Sequence, residues 1–80
     1  MSEMTIDAGV KKRSVTVNGH ATSVALEGVF WRELQAIATS RGVSINQLVT
    51  DIDNKRTGTN LSSVIRVFVL ETVCRNQNML

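Results

Sequence analysis

Residues 41–47 read Arg-Gly-Val-Ser-Ile-Asn-Gln, and this stretch ends one helix and begins another within about three residues. Gly42 suits the left-handed position just past a helix end, and Arg41 places a cation in the last turn of that helix. Ser44 followed by Gln47 has the spacing of a capping box at the start of the next helix. The sequence therefore predicts two helices joined by a tight turn.

Apolar residues recur with helical spacing on both sides of this turn. Phe30, Leu34 and Ile37 form one stripe before it, and Leu48 and Ile52 form another after it. This periodicity predicts a first helix of about three turns from about residue 28 and a second helix from residue 45. A short alternating segment precedes the first helix and has strand character, so the order is strand, helix, tight turn, helix.

A third apolar segment follows Gly58 and Asn60. Gly58 can end the second helix, and Asn60 can cap a third helix that runs through about Cys74. Nine of the fourteen residues from 61 to 74 are apolar: Leu61, Val64, Ile65, Val67, Phe68, Val69, Leu70, Val73 and Cys74. A helix that is apolar on most of its circumference must be covered on most sides. We interpret this segment as a helix at a dimer interface. The alternative is a strand at residues 64–73, which are rich in β-branched residues.

The N-terminal third has the pattern of a β-hairpin. Residues 14–17 alternate as Ser-Val-Thr-Val, and Asn18-Gly19 is a strong signal for a type I′ turn. If the hairpin closes, Val17 lies opposite His20 and Val15 opposite Thr22. The face predicted to enter the core carries Val15, Val17, Thr22, Val24 and Leu26. The opposite, polar face carries Ser14, Thr16, Ala21, Ser23 and Ala25. The alternative is that residues 13–17 form a free arm.

Length and composition limit the number of domains, the sites for metals or cofactors and the classes of enzyme that this chain could belong to. Eighty residues fit one domain, which we place at residues 11–75 between tails at 1–10 and 76–80. Cys74 is the only cysteine and His20 the only histidine, so neither a disulfide nor a metal or other cofactor is expected. No nucleophile grouping or phosphate-binding loop appears, which excludes the common enzyme classes. So short a chain buries little surface, which favours a homodimer.

The positive charge is concentrated near the N-terminus. Lys11, Lys12 and Arg13 are consecutive, and no acidic residue lies between Val10 and Leu26. This cluster predicts contacts with phosphate groups, although a solvated charged run is an equally simple interpretation. No signal peptide and no apolar run long enough for a membrane span appears, so we expect a cytoplasmic protein without a membrane partner.

Several motifs together resemble the ribbon-helix-helix superfamily and, more narrowly, a bacterial group of uncharacterised ribbon-helix-helix domain proteins. The similarity covers about residues 12–74. It is carried by Arg-Ser-Val-Thr at 13–16, Gly-His-Ala-Thr-Ser-Val at 19–24, Phe-Trp at 30–31, Arg-Gly-x-Ser at 41–44 and the run from Asn60 to Leu70. The resemblance implies an α+β, mostly α fold: an intertwined homodimer, here with an additional N-terminal strand and a third C-terminal helix.

The same resemblance implies a small DNA-binding protein that regulates transcription. In such proteins an antiparallel two-stranded ribbon enters the major groove of double-stranded DNA, and the second helix begins at a phosphate. Base-facing residues would be Ala21, Ser23 and Ala25. Phosphate would bind at Ser44, Ile45 and Asn46, with help from Lys11, Lys12 and Arg13. The dimer interface would include Val24, Leu26, Trp31, Val64, Phe68 and Val69.

Two of the three base-facing positions are alanine, which offers a base only a methyl contact. The alternative function is therefore a protein-interaction module of the same fold, with a protein partner in place of DNA. A hairpin in each protomer would also give a dimer four strands, more than a major groove admits. A third hypothesis, an antitoxin, needs a neutralising C-terminal tail, and only six residues follow Cys74.

Overall fold

The chain folds as a β-hairpin followed by three helices, in a computed structural model that describes residues 8–77. The elements are β1 (Val10–Val17), β2 (His20–Glu27), α1 (Gly28–Arg41), α2 (Ile45–Lys55) and α3 (Leu61–Gln77). This order confirms the predicted α+β, mostly α class. Both predicted tails reach into these elements, since Val10 begins β1 and residues 76 and 77 continue α3. Residues 1–7 and 78–80 lie outside the described part of the chain.

The hairpin closes in the predicted register. Asn18 and Gly19 both have positive φ angles, of 51° and 82°, as a type I′ turn requires. Val17 pairs with His20, and the pairing continues to Val10 opposite Glu27. The sequence left open whether residues 13–17 form a strand or a free arm, and the structure assigns them to β1.

One face of the hairpin and one stripe of each helix enclose the core. The buried apolar side chains are Val15, Val17, Val24, Leu26, Leu34, Ile37, Ala38, Leu48, Val49, Ile52, Ile65 and Val69. Thr22 was predicted to join them but is exposed. The reason is its position, because α2 packs along β1 while Ser62 and Arg66 of α3 contact β2 at Ala25 and Glu27, farther from the turn.

The turn between α1 and α2 forms as its sequence predicts, with one exception. Gly42 has φ 71°, and its amide and that of Val43 donate to the carbonyls of Thr39 and Ala38, the two bonds of a Schellman motif. The Ser44 hydroxyl accepts a hydrogen bond from the Gln47 amide at 3.0 Å. The Gln47 side chain, however, donates to Asp51 instead of returning to Ser44, so only half of the capping box is present.

The segment after Asn60 is helical, and the alternative of a strand at residues 64–73 is wrong. The Asn60 carboxamide oxygen accepts a hydrogen bond from the Ser63 amide at 2.9 Å, which confirms the predicted N-cap. Val67 and Leu70 remain 55% and 59% exposed on the outer side of α3. None of the helices in residues 8–77 is long and apolar enough to cross a membrane.

Candidate nucleic-acid interface

The face of the hairpin that points away from the helices is polar and open to solvent. It carries Lys12, Ser14, Thr16, Ala21, Ser23 and Ala25, and we call this set the outer face. All are exposed except Ala25, which is half-buried. The register sets Ser14 directly opposite Ser23 and Thr16 opposite Ala21, so hydroxyl and methyl groups share one surface. The sequence placed five of these six residues on one face; Lys12 is the addition.

The N-terminus of α2 lies beside the β1 edge of this face. Asn46 Oδ1 accepts a hydrogen bond from the Thr16 amide at 3.0 Å. Within residues 8–77, the amides of Ile45 and Asn46 have no hydrogen-bond partner, as expected at the start of a helix. The structure therefore places the helix N-terminus that the sequence assigned to phosphate beside β1, while the residues assigned to base contacts lie on β2, the other strand of the same hairpin.

Further contacts hold the turn end of β1 to α2. The Asn18 amide donates to Thr50 Oγ1 at 3.2 Å. The Asn18 side-chain amide lies within reach of two acceptors, Asp53 Oδ2 at 3.4 Å and Asn54 Oδ1 at 3.1 Å. We call these hydrogen bonds, together with the Asn46–Thr16 bond, the α2–β1 contacts. Every group in them that belongs to β1 or the turn is a donor, so α2 supplies only acceptors.

A second set of contacts holds the opposite end of β2 to α3. Ser62 Oγ accepts a hydrogen bond from the Ala25 amide at 3.1 Å, and Arg66 donates to the Ala25 carbonyl at 3.4 Å. Arg66 Nε also donates to Glu27 Oε1 at 2.9 Å. This hydrogen bond is the main reason that the pKa of Glu27 lies below its usual value. We call these bonds the α3–β2 contacts.

The three basic residues predicted to bind phosphate have different surroundings. Because side chains alternate along a strand, Lys12 lies on the outer face, while Lys11 and Arg13 point to the other side. The Arg13 guanidinium carbon is 5.8 Å from the centroid of the Trp31 ring, a cation–π contact. Its Nε atom is buried and has no hydrogen-bond partner in the described part of the chain. Arg13 is therefore partly a packing residue, and its charge is directed toward α1.

The residues predicted for a dimer interface fall into two groups. Val24, Leu26 and Val69 belong to the protomer's own core, with at most 2% of their surface exposed. The hairpin closes within one chain and packs its apolar face against the helices, which buries these three side chains. Trp31, Val64 and Phe68 are half-buried at its edge. Val67 and Leu70, which the sequence counted among the apolar residues of this helix, leave an apolar surface open on α3.

The histidine and the cysteine of the chain lie on different elements, His20 in β2 and Cys74 in α3. Within residues 8–77, no group of three His, Cys, Asp or Glu side chains could hold a metal ion. His20 is exposed beside the turn, opposite Val17. Cys74 is exposed on α3 and is not paired with another cysteine.

Comparison with known proteins agrees with the resemblance seen in the sequence. Residues 10–73 match the model of a family described as "Ribbon-helix-helix domain". A solved structure of an uncharacterized protein from Bordetella pertussis Tohama I is similar, with a TM-score of 0.73 and 31% sequence identity. The match covers 92% of this chain and 64% of the Bordetella chain, so this chain spans less than two thirds of that protein. A search of curated proteins found no match.

Proposed function

This chain belongs to the ribbon-helix-helix domain family, and on that premise we propose that it is a homodimeric DNA-binding protein that regulates transcription. The family's fold is of the type used by DNA-binding transcriptional regulators. The observation that carries the proposal is the position of Asn46, which joins the start of α2 to β1 at Thr16. Through it, an exposed two-stranded ribbon and a helix N-terminus lie side by side.

The dimensions and charges of this surface suit a DNA duplex. A major groove admits a two-stranded β-ribbon, and a helix N-terminus presents amides and a partial positive charge to a phosphate. We assign base contacts to Ala21, Ser23 and Ala25, where hydroxyl and methyl groups face outward. We assign phosphate contacts to Ser44, Ile45 and Asn46, with Lys12 adding positive charge on the outer face and Lys11 and Arg13 adding it from the other side of β1.

Dimerisation in this proposal uses α3. Val67 and Leu70 lie about one turn apart on α3, and each is more than half exposed. Phe68 and Val64 continue this surface toward α2, with the Arg41 guanidinium 5.2 Å from the centre of the Phe68 ring. A second copy that covers α3 would add the burial that an eighty-residue chain lacks.

The proposal is tested with Asn46→Asp, titrated against short labelled duplexes at low salt. Aspartate keeps the acceptor for the Thr16 amide and suits a helix N-terminus, so the fold is retained or slightly stabilised. Its negative charge repels phosphate, and we expect duplex affinity to fall about tenfold, or about 1.4 kcal/mol. Gln35→Glu is the matched control, because it adds the same charge at an exposed position of α1.

Two results would contradict parts of the proposal. Unchanged affinity of Asn46→Asp would remove α2 from the DNA contact. No binding of the wild-type protein to any duplex, including the promoter of its own operon, would refute DNA binding altogether. That second result would favour the other candidate, a protein-interaction module, which two alanines at the base-facing positions already support.

A further inference from the structure

We propose that a cavity between the three helices binds a small aromatic molecule that carries one carboxylate group. The cavity has a volume of about 150 Å³, and seven residues line it: Arg41, Leu48, Asp51, Ile52, Lys55, Val64 and Phe68. None of them is among the residues assigned to base or phosphate contacts. The inference therefore does not depend on DNA binding.

The apolar part of the cavity wall comes from α2 and α3. Leu48 and Ile52 are buried one turn apart on α2, and Val64 and Phe68 are half-buried one turn apart on α3. Apolar walls with a few polar groups are the usual composition of a small-molecule site. An apolar cavity of about 150 Å³ has room for one benzene-sized ring. The wall therefore suits a single six-membered ring, which can pack against the ring of Phe68.

Two cations and one anion stand at the rim of the cavity. The guanidinium carbon of Arg41 lies 5.2 Å from the centroid of the Phe68 ring, so a positive charge is held beside the apolar wall. Within residues 8–77, neither Arg41 nor Lys55 takes part in an ion pair. Asp51 Oδ1 accepts a hydrogen bond from Gln47 Nε2 at 2.9 Å, one turn toward the start of α2, whereas Lys55 lies one turn toward its end. The rim therefore has one positive charge in excess.

This arrangement of charges selects the chemistry of the ligand. A guanidinium can bind a carboxylate through two parallel hydrogen bonds, and an ammonium adds a second, mobile positive charge. A ligand whose ring lies beside Phe68 brings a carboxylate within reach of Arg41. A second anionic group on the ligand would meet Asp51. One ring with one carboxylate therefore fits both the wall and the rim.

The cavity lies at the margin of the surface that we assign to a second copy. At 3.6 residues per turn, Val64 and Phe68 point about 110° away from the direction of Val67 and Leu70 around the axis of α3. A second copy centred on Val67 and Leu70 therefore leaves space for a ligand beside it.

The experiment is a titration of ¹⁵N-labelled protein with sodium benzoate at constant ionic strength, followed by NMR. Benzoate should shift the signals of the cavity residues and reach saturation, with a dissociation constant of about 1 mM for so small a ligand. Benzyl alcohol is the matched ligand, because it has the same ring and no charge. It should bind about tenfold more weakly, since it lacks the hydrogen bonds between charged groups.

Three variants test the wall and the rim separately. Lys55→Gln removes one rim charge and should weaken benzoate binding about threefold, as expected for an exposed charge pair. Lys11→Gln is the matched control, because Lys11 is an exposed lysine on β1, and it should bind benzoate like the wild type. Val64→Phe fills the cavity with a larger side chain and should abolish saturable binding. Circular dichroism checks that each variant is folded.

Several results would overturn the inference. Equal affinities for benzoate and benzyl alcohol, or equal losses in Lys55→Gln and Lys11→Gln, would show that the rim charges do not select the ligand. Shifts that do not saturate, or saturable binding that persists in Val64→Phe, would place benzoate outside the cavity. Signals of Val64 and Phe68 that respond to protein concentration and not to benzoate would mean that a second copy fills it. None of these results bears on DNA binding, which the duplex titrations test.

Discussion

The two edges of the hairpin are held at opposite ends and by different chemistry. The edge of β1 is held near the turn, where α2 accepts hydrogen bonds at Asn46 and Thr50. The edge of β2 is held near its far end, where Arg66 of α3 donates to a carbonyl and to the Glu27 carboxylate. The first set consists mostly of neutral groups, and the second includes an ion pair.

This difference shows how two helices can cover part of each edge of a small sheet without further strands. An unpaired strand edge is a template for pairing with other chains, and proteins often cover it with helices. Here each helix occupies one outward amide of the hairpin within residues 8–77, that of Thr16 on β1 and that of Ala25 on β2. The contacts lie at the turn end of β1 and at the far end of β2, so neither helix covers the outer face. The hairpin is held in place while its polar face stays accessible.

The largest effect on stability is expected from Asn18→Ala, which removes contacts between α2 and the turn end of β1. Asn18 has φ 51°, a conformation that alanine adopts only with strain, and its side chain donates to α2. We expect the free energy of unfolding to fall by about 1–3 kcal/mol. Urea denaturation followed by circular dichroism measures it. Asn18→Gly, which keeps the backbone conformation, should lose less; equal losses in the two variants would show that the turn angle is irrelevant.

A smaller effect is expected when one acceptor is removed from each edge. Ser62→Ala removes the partner of the Ala25 amide, and Thr50→Val removes the partner of the Asn18 amide. Each should cost about 0.5–1.5 kcal/mol. Amide hydrogen exchange locates the loss: Ser62→Ala should speed exchange at Ala25, and Thr50→Val at Asn18. Faster exchange along the whole hairpin in both variants would mean that the two ends are not independent.

The smallest effect on stability is expected from the ion pair between Arg66 and Glu27, and it depends on pH. Arg66 lowers the pKa of Glu27 in the folded state below its ordinary value of 4.5, so the unfolded chain binds more protons at this carboxyl in acid. The stabilisation is complete above about pH 4.5 and is lost as the pH falls through the lowered pKa. Stability of Glu27→Gln should therefore decline less steeply in acid than that of the wild type. Thr50→Val should keep the wild-type slope; if it also flattens the curve, the acid sensitivity lies elsewhere.

The local features of this fold could be predicted because short-range geometry determines them. Asn18-Gly19 fixes the register of the hairpin, since a two-residue turn allows only one pairing. Gly42 and Ser44 mark where α1 ends and α2 begins, because few residues suit those backbone positions. Each of these predictions depends on residues within a few positions of one another, and the structure confirms them.

The contacts at the hairpin edges could not be predicted in the same way. Asn46 and Thr16 are 30 residues apart, and Ser62 and Ala25 are 37 apart. Which backbone group a polar helix residue reaches depends on how the helix lies on the sheet, and periodicity does not report this. Arg13 shows the same limit, since nothing in a run of three basic residues indicates which one packs on a ring.

The contact between Arg13 and Trp31 allows the position of β1 to be followed by intrinsic tryptophan fluorescence. Trp31 is the only tryptophan, and the chain contains no tyrosine. The indole is half-buried under the Arg13 guanidinium, so its emission reports whether β1 rests on α1. If β1 lifts away when a partner binds, the ring meets water and the emission moves to longer wavelength. Unlabelled protein mixed with unlabelled duplex can therefore reveal, in milliseconds, whether the strand stays in place.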